Sequence, residues 1–348
     1  MVSTEDQNDL LLANRYRLSL SKPPQSFFRV VALLFYEEVD EKPKLPSRLP
    51  PWASQRTGDG RFYILGANDE PGYMGGSICA ERSAIVQLRF LPSARVTKLV
   101  ICTDSTEPIA PGMLCREFMA GHSCFPWDLR IISTGCICTK CDKRDRDLFT
   151  DDGIVEECVD GIPTLDTTLK DLYPYPSPYT RCNSSESVSL GKTYAQSTRA
   201  VDLIESVSDE WKNLLELAKN EAKSNISDNH PIQFGAAVSF TDGTVATSHQ
   251  VSALEYGCSL DAVSQLAPSL GGKKPKLLVQ VDQYGVAHSP FAPARAFLSE
   301  NGHSDCHILV HSAPVEEDPT NLVNWSLPEI LVSDLAPNAP DWTSSTER

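Results

Sequence analysis

The chain has no excess of positive charge: against 46 Asp and Glu it sets 31 Lys and Arg, a formal net charge of −15. Nonspecific binding to nucleic acid or to an anionic membrane requires clustered Lys and Arg, so neither is expected, while small-molecule substrates stay open. No apolar run approaches membrane-spanning length. No hydrophobic segment follows Met1-Val2-Ser3-Thr4-Glu5-Asp6, so no signal peptide is expected and the expected compartment is the cytoplasm. The cysteines do not form an even set either. Eleven is an odd count for a disulfide framework, and in a reducing compartment such thiols are buried, metal-bound or free.

What is present is enough apolar residue, 41% of 348, for two ordinary domains with sizeable cores. The stretch that organises the chain is Ser77-Ile78-Cys79-Ala80-Glu81-Arg82-Ser83-Ala84-Ile85. Ala80, Ala84, Ile85 and Leu88 fall at helical spacing, which predicts a helix from Cys79 to about Phe90 with Cys79 and Glu81 in its first turn. There the unpaired backbone N–H groups and the helix dipole favour a thiolate, a good zinc ligand, and a nearby carboxylate reaches a zinc-bound water. The plainer reading is a buried cysteine followed by a solvated glutamate.

Some thirty residues on, after the strand-like Lys98-Leu99-Val100-Ile101-Cys102, comes Ala110-Pro111-Gly112-Met113-Leu114-Cys115-Arg116-Glu117. Together the two segments resemble the zinc-dependent nucleoside deaminases, and the cytidine deaminases most closely, whose pattern is C/H-A-E followed by P-C-x-x-C-R. Cys79, Glu81, Pro111, Cys115 and Arg116 match; Gly112 stands where the first cysteine of the downstream pair belongs. Upstream, Leu65-Gly66-Ala67-Asn68-Asp69-Glu70 resembles the family's G-x-N-x-E segment, with Glu70 at the family's spacing of nine residues before the zinc cysteine. The resemblance implies Zn2+ held by Cys79 and Cys115, Glu81 as proton shuttle, Asn68 and Glu70 on the ribose hydroxyls, and Phe28 stacked on the pyrimidine. A core phenylalanine at a strand start is the plainer reading of Phe28. Arg82 and Arg116 either offset thiolate charge or face the surface.

Along the chain, Leu10, Leu11, Leu12 and Leu18 carry a short helical pattern, and Ser26 to Phe35 reads as a buried strand. Residues 37 to 60 read as a long excursion before the strand Arg61-Phe62-Tyr63-Ile64-Leu65. Further strands are expected at 97–102 and at Leu129 to Ser133, with residues 136 to 160 as an insert. In that insert Cys136, Cys138, Cys141 and Cys158 either bind a second, structural zinc or are free thiols. Thr168-Leu169-Lys170-Asp171-Leu172-Tyr173-Pro174 resembles the family's closing segment. Residues 175–204, rich in Ser, Pro and Thr, read as a linker. From Ser208, an N-cap, the helix with Trp211, Leu214, Leu215 and Ala218 on one face opens a second unit.

That second unit repeats the first. A strand at Gln233 to Phe240, a turn at Thr241-Asp242-Gly243 and a return strand precede Asp261-Ala262-Val263 at the C-A-E place. Ser289-Pro290-Phe291-Ala292-Pro293-Ala294-Arg295 then falls at S-P-C-x-x-C-R. Glutamate, both downstream cysteines and the ribose pair are replaced by Val263, Phe291, Ala294, Gln250 and Ser252. The expected fold class is therefore α/β, two tandem cytidine-deaminase-like three-layer α-β-α domains, the second degenerate. The expected limits are 1–174, a linker over 175–204, 205–338, and a tail over 339–348. The resemblance implies the duplicated, dimeric class, and so a homodimer.

A catalytic zinc usually has three protein ligands and an open position, and this chain offers two in register. Either Cys102 or Cys124 supplies the third, or zinc sits on two thiolates and two waters, or the metal is absent. The leading expectation is hydrolysis of cytidine and deoxycytidine to the uracil nucleosides in pyrimidine salvage. The competing one is a non-catalytic protein that binds nucleoside or serves as an assembly subunit. A polynucleotide substrate would call for a stripe of Lys, Arg and aromatic residues that is missing.

Overall fold

The structure, a computed structural model, describes residues 3–39, 55–91, 93–135, 163–225 and 230–339. Three sequence expectations lie outside those residues: most of the excursion (40–54), the insert with Cys136, Cys138, Cys141 and Cys158, and the tail beyond 339. Among the described residues no helix is long and apolar enough to cross a membrane. The chain divides into Met1–Leu172 and Tyr173–Arg348, and each unit is a mixed sheet with helices on both faces.

The first unit runs α1 (Thr4–Ser19), β1 (Val30–Glu38), β2 (Gln55–Arg56), β3 (Phe62–Ala67), α2 (Ala80–Ile85), β4 (Ala94–Thr103), α3 (Met113–Ala120), β5 (Arg130–Thr134), β6 (Thr164–Thr168) and α4 (Leu169–Leu172). The strands order as β2-β3-β1-β4-β5-β6. β4 and β5 are parallel, and the other neighbours are antiparallel. β1 is buried continuously from Val31 to Tyr36 because both faces of the sheet are covered. On one face Leu10, Leu11 and Ala13 of α1 pack on Val31, Leu33, Phe35, Val100 and Cys102. Charge fastens α1 there: Lys98 Nζ meets Glu5, Asp6 and Asp9 at 2.8, 3.0 and 2.6 Å, and Arg61 binds Asp9 at 2.9 Å. The ammonium thus fills the centre of that acidic cluster.

β1 begins at Val30, later than the apolar run suggests. Phe27 has φ +56, and the backbone N–H of Phe28 donates to Ser26 Oγ at 3.1 Å, so the chain turns before it enters the sheet. The expected long helix after Cys79 is shorter as well: α2 gives way to a 3-10 segment over Val86–Phe90.

The second unit runs α5 (Ser184–Ala195), α6 (Thr198–Glu205), α7 (Asp209–Ala222), β7 (Phe234–Phe240), β8 (Val245–His249), α8 (Ala267–Leu270), β9 (Pro275–Asp282), β10 (Ala287–His288), α9 (Ala292–Glu300), β11 (His307–Leu309) and β12 (Glu329–Leu331). The stretch expected to be a linker is two helices. Asn183 and Glu186 form a capping box at the start of α5, and the Ser197 side chain caps α6 by accepting from the Ala200 N–H. Tyr179, Leu190, Tyr194 and Leu203 are buried in the core of this unit. Composition alone cannot separate capping serines from linker serines.

Its strand order, β8-β7-β9-β11-β12, reproduces β3-β1-β4-β5-β6, with β9 and β11 as the parallel pair. Backbone pairing fixes the register. Asp69 and Ile78 exchange two hydrogen bonds of 3.0 Å in the first unit; Val251 and Leu260 exchange two of 2.9 Å in the second. Leu260 therefore answers to Ile78, Asp261 to Cys79 and Val263 to Glu81.

One buried histidine makes the stability of this unit pH-dependent. His311 Nδ1 accepts the Ala287 N–H at 2.8 Å and its Nε2 lies 2.5 Å from Tyr194 Oη. Burial pushes its pKa down to about 3 from the ordinary 6.5. The unfolded chain takes up this proton first, so the full stability is present above pH 6.5 and is lost progressively as pH falls toward 3. Denaturant melts from pH 6.5 to 4.5 are expected to show a loss of about 1 kcal/mol per pH unit from this group, and His311→Gln is expected to flatten that part of the slope.

Candidate functional site

Cys79, Glu81 and Cys115 are brought to one place by two helix starts. Cys79 is the N-cap of α2 and Glu81 lies in its first turn, while Gly112 is the N-cap of α3, one turn before Cys115. α2 packs on β3 and β1, on the face away from α1. Gly66 allows this approach: a Cβ there would lie 2.1 Å from Ala80 O and 2.7 Å from Ala84 N. The Ser83 hydroxyl accepts the Ala67 N–H at 3.1 Å, a contact that no motif pointed to.

One ligand atom from each of Cys79, Glu81 and Cys115 lies within 4.8 Å of the other two. Glu81 is 5% exposed and Cys115 0%, whereas Cys79 is half-buried. The Cys115 thiol hydrogen-bonds to Cys79 and the Arg82 guanidinium adds a second contact, which together hold the Cys79 pKa down at about 6. Cys115, which gives that hydrogen bond and is buried, is pushed well above the ordinary thiol value. Burial, followed by the charge of Cys79, raises Glu81 to about 7. A carboxyl group poised there can both take and give a proton near neutral pH.

Arg82 Nη2 donates to Cys79 Sγ at 3.6 Å and to Ser77 O at 3.3 Å, so of the two arginines singled out in the sequence this one meets a sulfur. Arg116 does something else. Its Nε donates to Pro111 O at 2.6 Å and its Nη1 to Leu172 O at 2.8 Å, tying the start of α3 to the end of α4. Arg295 repeats both bonds in the second unit, to Pro290 O at 2.8 Å and Leu335 O at 3.3 Å.

Neither sequence candidate for a third sulfur belongs to the group. Cys102 sits on the opposite face of the sheet, packed among the α1 residues, with contacts to Asn14 Oδ1 at 3.8 Å and Gly135 O at 3.6 Å. Cys124 is absent from the cluster of converging donors, and its carbonyl accepts the Val96 N–H at 2.9 Å.

Asn68, Glu70 and Phe28 form an adjoining cluster. Asn68 Oδ1 accepts the Val30 N–H at 2.8 Å, and its Nδ2 donates to Phe28 O at 2.8 Å and to Glu70 Oε1 at 3.3 Å. Glu70 accepts from the Ser26 N–H at 2.8 Å and the Ser26 hydroxyl at 2.7 Å. The Asp69–Ile78 bridge joins this cluster to Cys79. Asn68 thereby spends two of its three bonds on backbone, while Glu70, half-buried, is held by Ser26 and Asn68.

In the second unit two of the three positions, Val263 and Ala294, hold no donor. Phe291, the N-cap of α9, has the backbone conformation of Gly112 (φ −68, ψ 165 against φ −63, ψ 160). Its ring meets Phe234 edge-on at 5.0 Å, against the core that holds Val263 and Ala294. Asp261, in the place of Cys79, spends its carboxylate on the Ser264 N–H and hydroxyl at 2.9 and 2.5 Å.

No protein-family model and no curated protein matches the chain. Among solved structures, the cytidine deaminase of Mycobacterium leprae is similar over 37% of this chain and 99% of its own, at 21% identity and TM-score 0.31. That of Mycobacterium tuberculosis covers 38% and 98% at 27% identity and TM-score 0.30, and that of Burkholderia pseudomallei 48% and 95% at 20% and 0.30. TM-scores this low lend nothing to an assignment of activity.

The close approach at Gly66 gives a test of how the site is assembled. Gly66→Ala forces α2 off β3 and is expected to cost about 1–3 kcal/mol in denaturant unfolding. It is also expected to slow trapping of the Cys79–Cys115 pair by a dithiol-selective reagent. An unchanged midpoint with unchanged trapping would mean that α2 is positioned by something else.

Proposed function

We propose that the first unit is a hydrolytic deaminase acting on cytidine and deoxycytidine, and that the second is a scaffold without chemistry of its own. The observation that carries this reading is the convergence of a buried carboxylate, Glu81, with the sulfurs of Cys79 and Cys115 within 4.8 Å. Two thiols and a carboxyl group aimed at one point are a donor set that suits Zn2+. Cys79 and Cys115 would hold the ion, which when bound supplies a water of lowered pKa.

The chain's own groups do the rest. Glu81, raised to about 7 by burial, takes the proton of the attacking water on a carboxylate oxygen. It gives that proton to the pyrimidine ring nitrogen, then takes the second proton from the hydroxyl added at the ring carbon and passes it to the amine, which leaves as ammonia when the C–N bond breaks. Its burial excludes bulk solvent from that transfer. Glu70 exchanges its two bonds from Ser26 for those of a ribose hydroxyl. Asn68 fixes the Phe28–Val30 backbone from which Phe28 packs on the base. Arg82 balances the charge gathered on Cys79. Pairing of two chains as a homodimer in the cytoplasm and a place in pyrimidine salvage belong to the same proposal.

One observation favours a second reading, a nucleoside-binding protein without turnover: Gly112 puts no sulfur at the third ligand position. Incubation with cytidine and Zn2+ separates the two. The first reading expects ammonia release with loss of cytidine absorbance, a fall in kcat of at least about 10²-fold in Glu81→Gln, and a raised KM with little change in kcat in Glu70→Ala. Thermal stabilisation by cytidine with no ammonia released would instead establish the binding protein.

A further inference from the structure

Cys79 and Cys115 are free thiols that face each other. The Cys115 thiol hydrogen-bonds to Cys79, and the two sulfurs lie within 4.8 Å of one another. Among the described residues no further cysteine joins them, since Cys102 packs across the sheet against α1 and Cys124 is outside the cluster. The pair is unequal in exposure. Cys115 is 0% exposed, whereas Cys79 is half-buried, so a small reagent from solvent reaches Cys79 and finds Cys115 behind it.

From this we infer that Cys79 and Cys115 form an oxidation site, at which a peroxide converts the two thiols to a disulfide. The Cys79 sulfur attacks one peroxide oxygen: an S–O bond forms, the O–O bond breaks, and the departing oxygen leaves as water with the thiol proton. Cys79 is then a sulfenic acid, oxidised by two electrons. The Cys115 sulfur attacks it in turn; the S–S bond forms as the S–O bond breaks, and the leaving hydroxide takes the Cys115 proton as a second water. From 4.8 Å or less, the sulfurs approach by under about 3 Å to reach a disulfide length of about 2.05 Å, which rotation about χ1 of two cysteines spans. The buried partner also makes the oxidation reversible, because a sulfenic acid without a neighbouring thiol goes on to the irreversible sulfinic acid. A disulfide offers no thiolate to an ion, so oxidation and metal holding exclude each other. That consequence rests on the proposed function, whereas the disulfide itself does not. The second unit has no counterpart, since Asp261 and Ala294 stand at the two places.

The test treats the full chain, stripped of metal by a chelator, with hydrogen peroxide. Disulfides are then mapped by non-reducing peptide mass spectrometry, with fragmentation that separates Cys115 from Cys102. A Cys79–Cys115 cross-link that dithiothreitol reverses is expected. In Cys115→Ser the reaction is expected to stop at a Cys79 sulfenic acid, captured by dimedone, and in Cys79→Ser the buried Cys115 is expected to stay unmodified. Wild-type protein in which Cys79 does not react, in which both sulfurs are oxidised with no bond between them, or in which either is cross-linked to another cysteine overturns the inference, whether or not the serine variants fold. Zn2+ at about 100 times its dissociation constant leaves about 1% of the pair free and is expected to slow cross-linking about 100-fold. Cross-linking at full rate in Zn2+, with no ammonia released from cytidine, overturns the proposed metal site and deaminase while it upholds the oxidation site. Ammonia release by a protein whose pair never cross-links does the reverse.

Discussion

The site of the first unit depends on a place where two backbones touch. β3 can carry α2 directly on its surface only because Gly66 has no side chain; a Cβ there would stand 2.1 Å from Ala80 O, well inside contact distance. With α2 seated so closely, the Asp69–Ile78 bridge and the Ser83–Ala67 bond fix its first turn, and Cys79 and Glu81 have one direction in which to point. The second unit shows the alternative. Ser248 pairs with Ala236 where Gly66 pairs with Ala32. Its hydroxyl reaches out to Ala262 O at 2.6 Å, and the element that follows is a 3-10 turn over Ser264–Leu266 rather than a full helix turn aimed at the sheet.

What the two units share is structural, and what separates them is chemical. Arg116 and Arg295 make the same pair of carbonyl contacts, and the strand order and the parallel pair coincide. A guanidinium buried in that position satisfies carbonyls at a helix start and at the chain's return, a need that any version of the fold has. The donors have no such structural duty. Val263, Phe291 and Ala294 fill the second site with apolar contacts, and burying them costs no desolvation of charge. A unit that binds no ion is better served by those residues than by two thiols and a carboxyl group.

Much of this was legible in the sequence, and the misses have physical causes. Asp261 and Val263 fell into place without coordinates because the resemblance to the cytidine deaminases carries motif spacings that both halves of the chain follow. The convergence of Cys79 with Cys115 was legible for the same reason. The side of the sheet that Cys102 faces was not, since an almost wholly apolar strand hides its alternation; the structure puts it with Val100 against α1. The helices α5 and α6 escaped because Ser and Thr signal both linkers and caps, and because Tyr179 and Tyr194, which are buried with them, lie far apart in a polar segment. The start of β1 was misplaced by four residues because Phe27 is apolar yet 63% exposed at φ +56, and apolarity alone predicts burial.

Gly112 is where the two units teach most about each other. As a sequence feature it is a missing ligand, and from the chain alone it leaves three outcomes: a substitute cysteine elsewhere, a weak metal site, and no metal at all. Among the described residues the two candidate substitutes drop out, because Cys102 faces away and Cys124 lies outside the cluster. In the repeat, Phe291 shares the backbone conformation of Gly112 and meets Phe234 edge-on at 5.0 Å. Among the described residues Glu81 and the two sulfurs remain as the converging donors, and a buried carboxyl group there costs stability unless hydrogen bonds or a bound cation offset its burial.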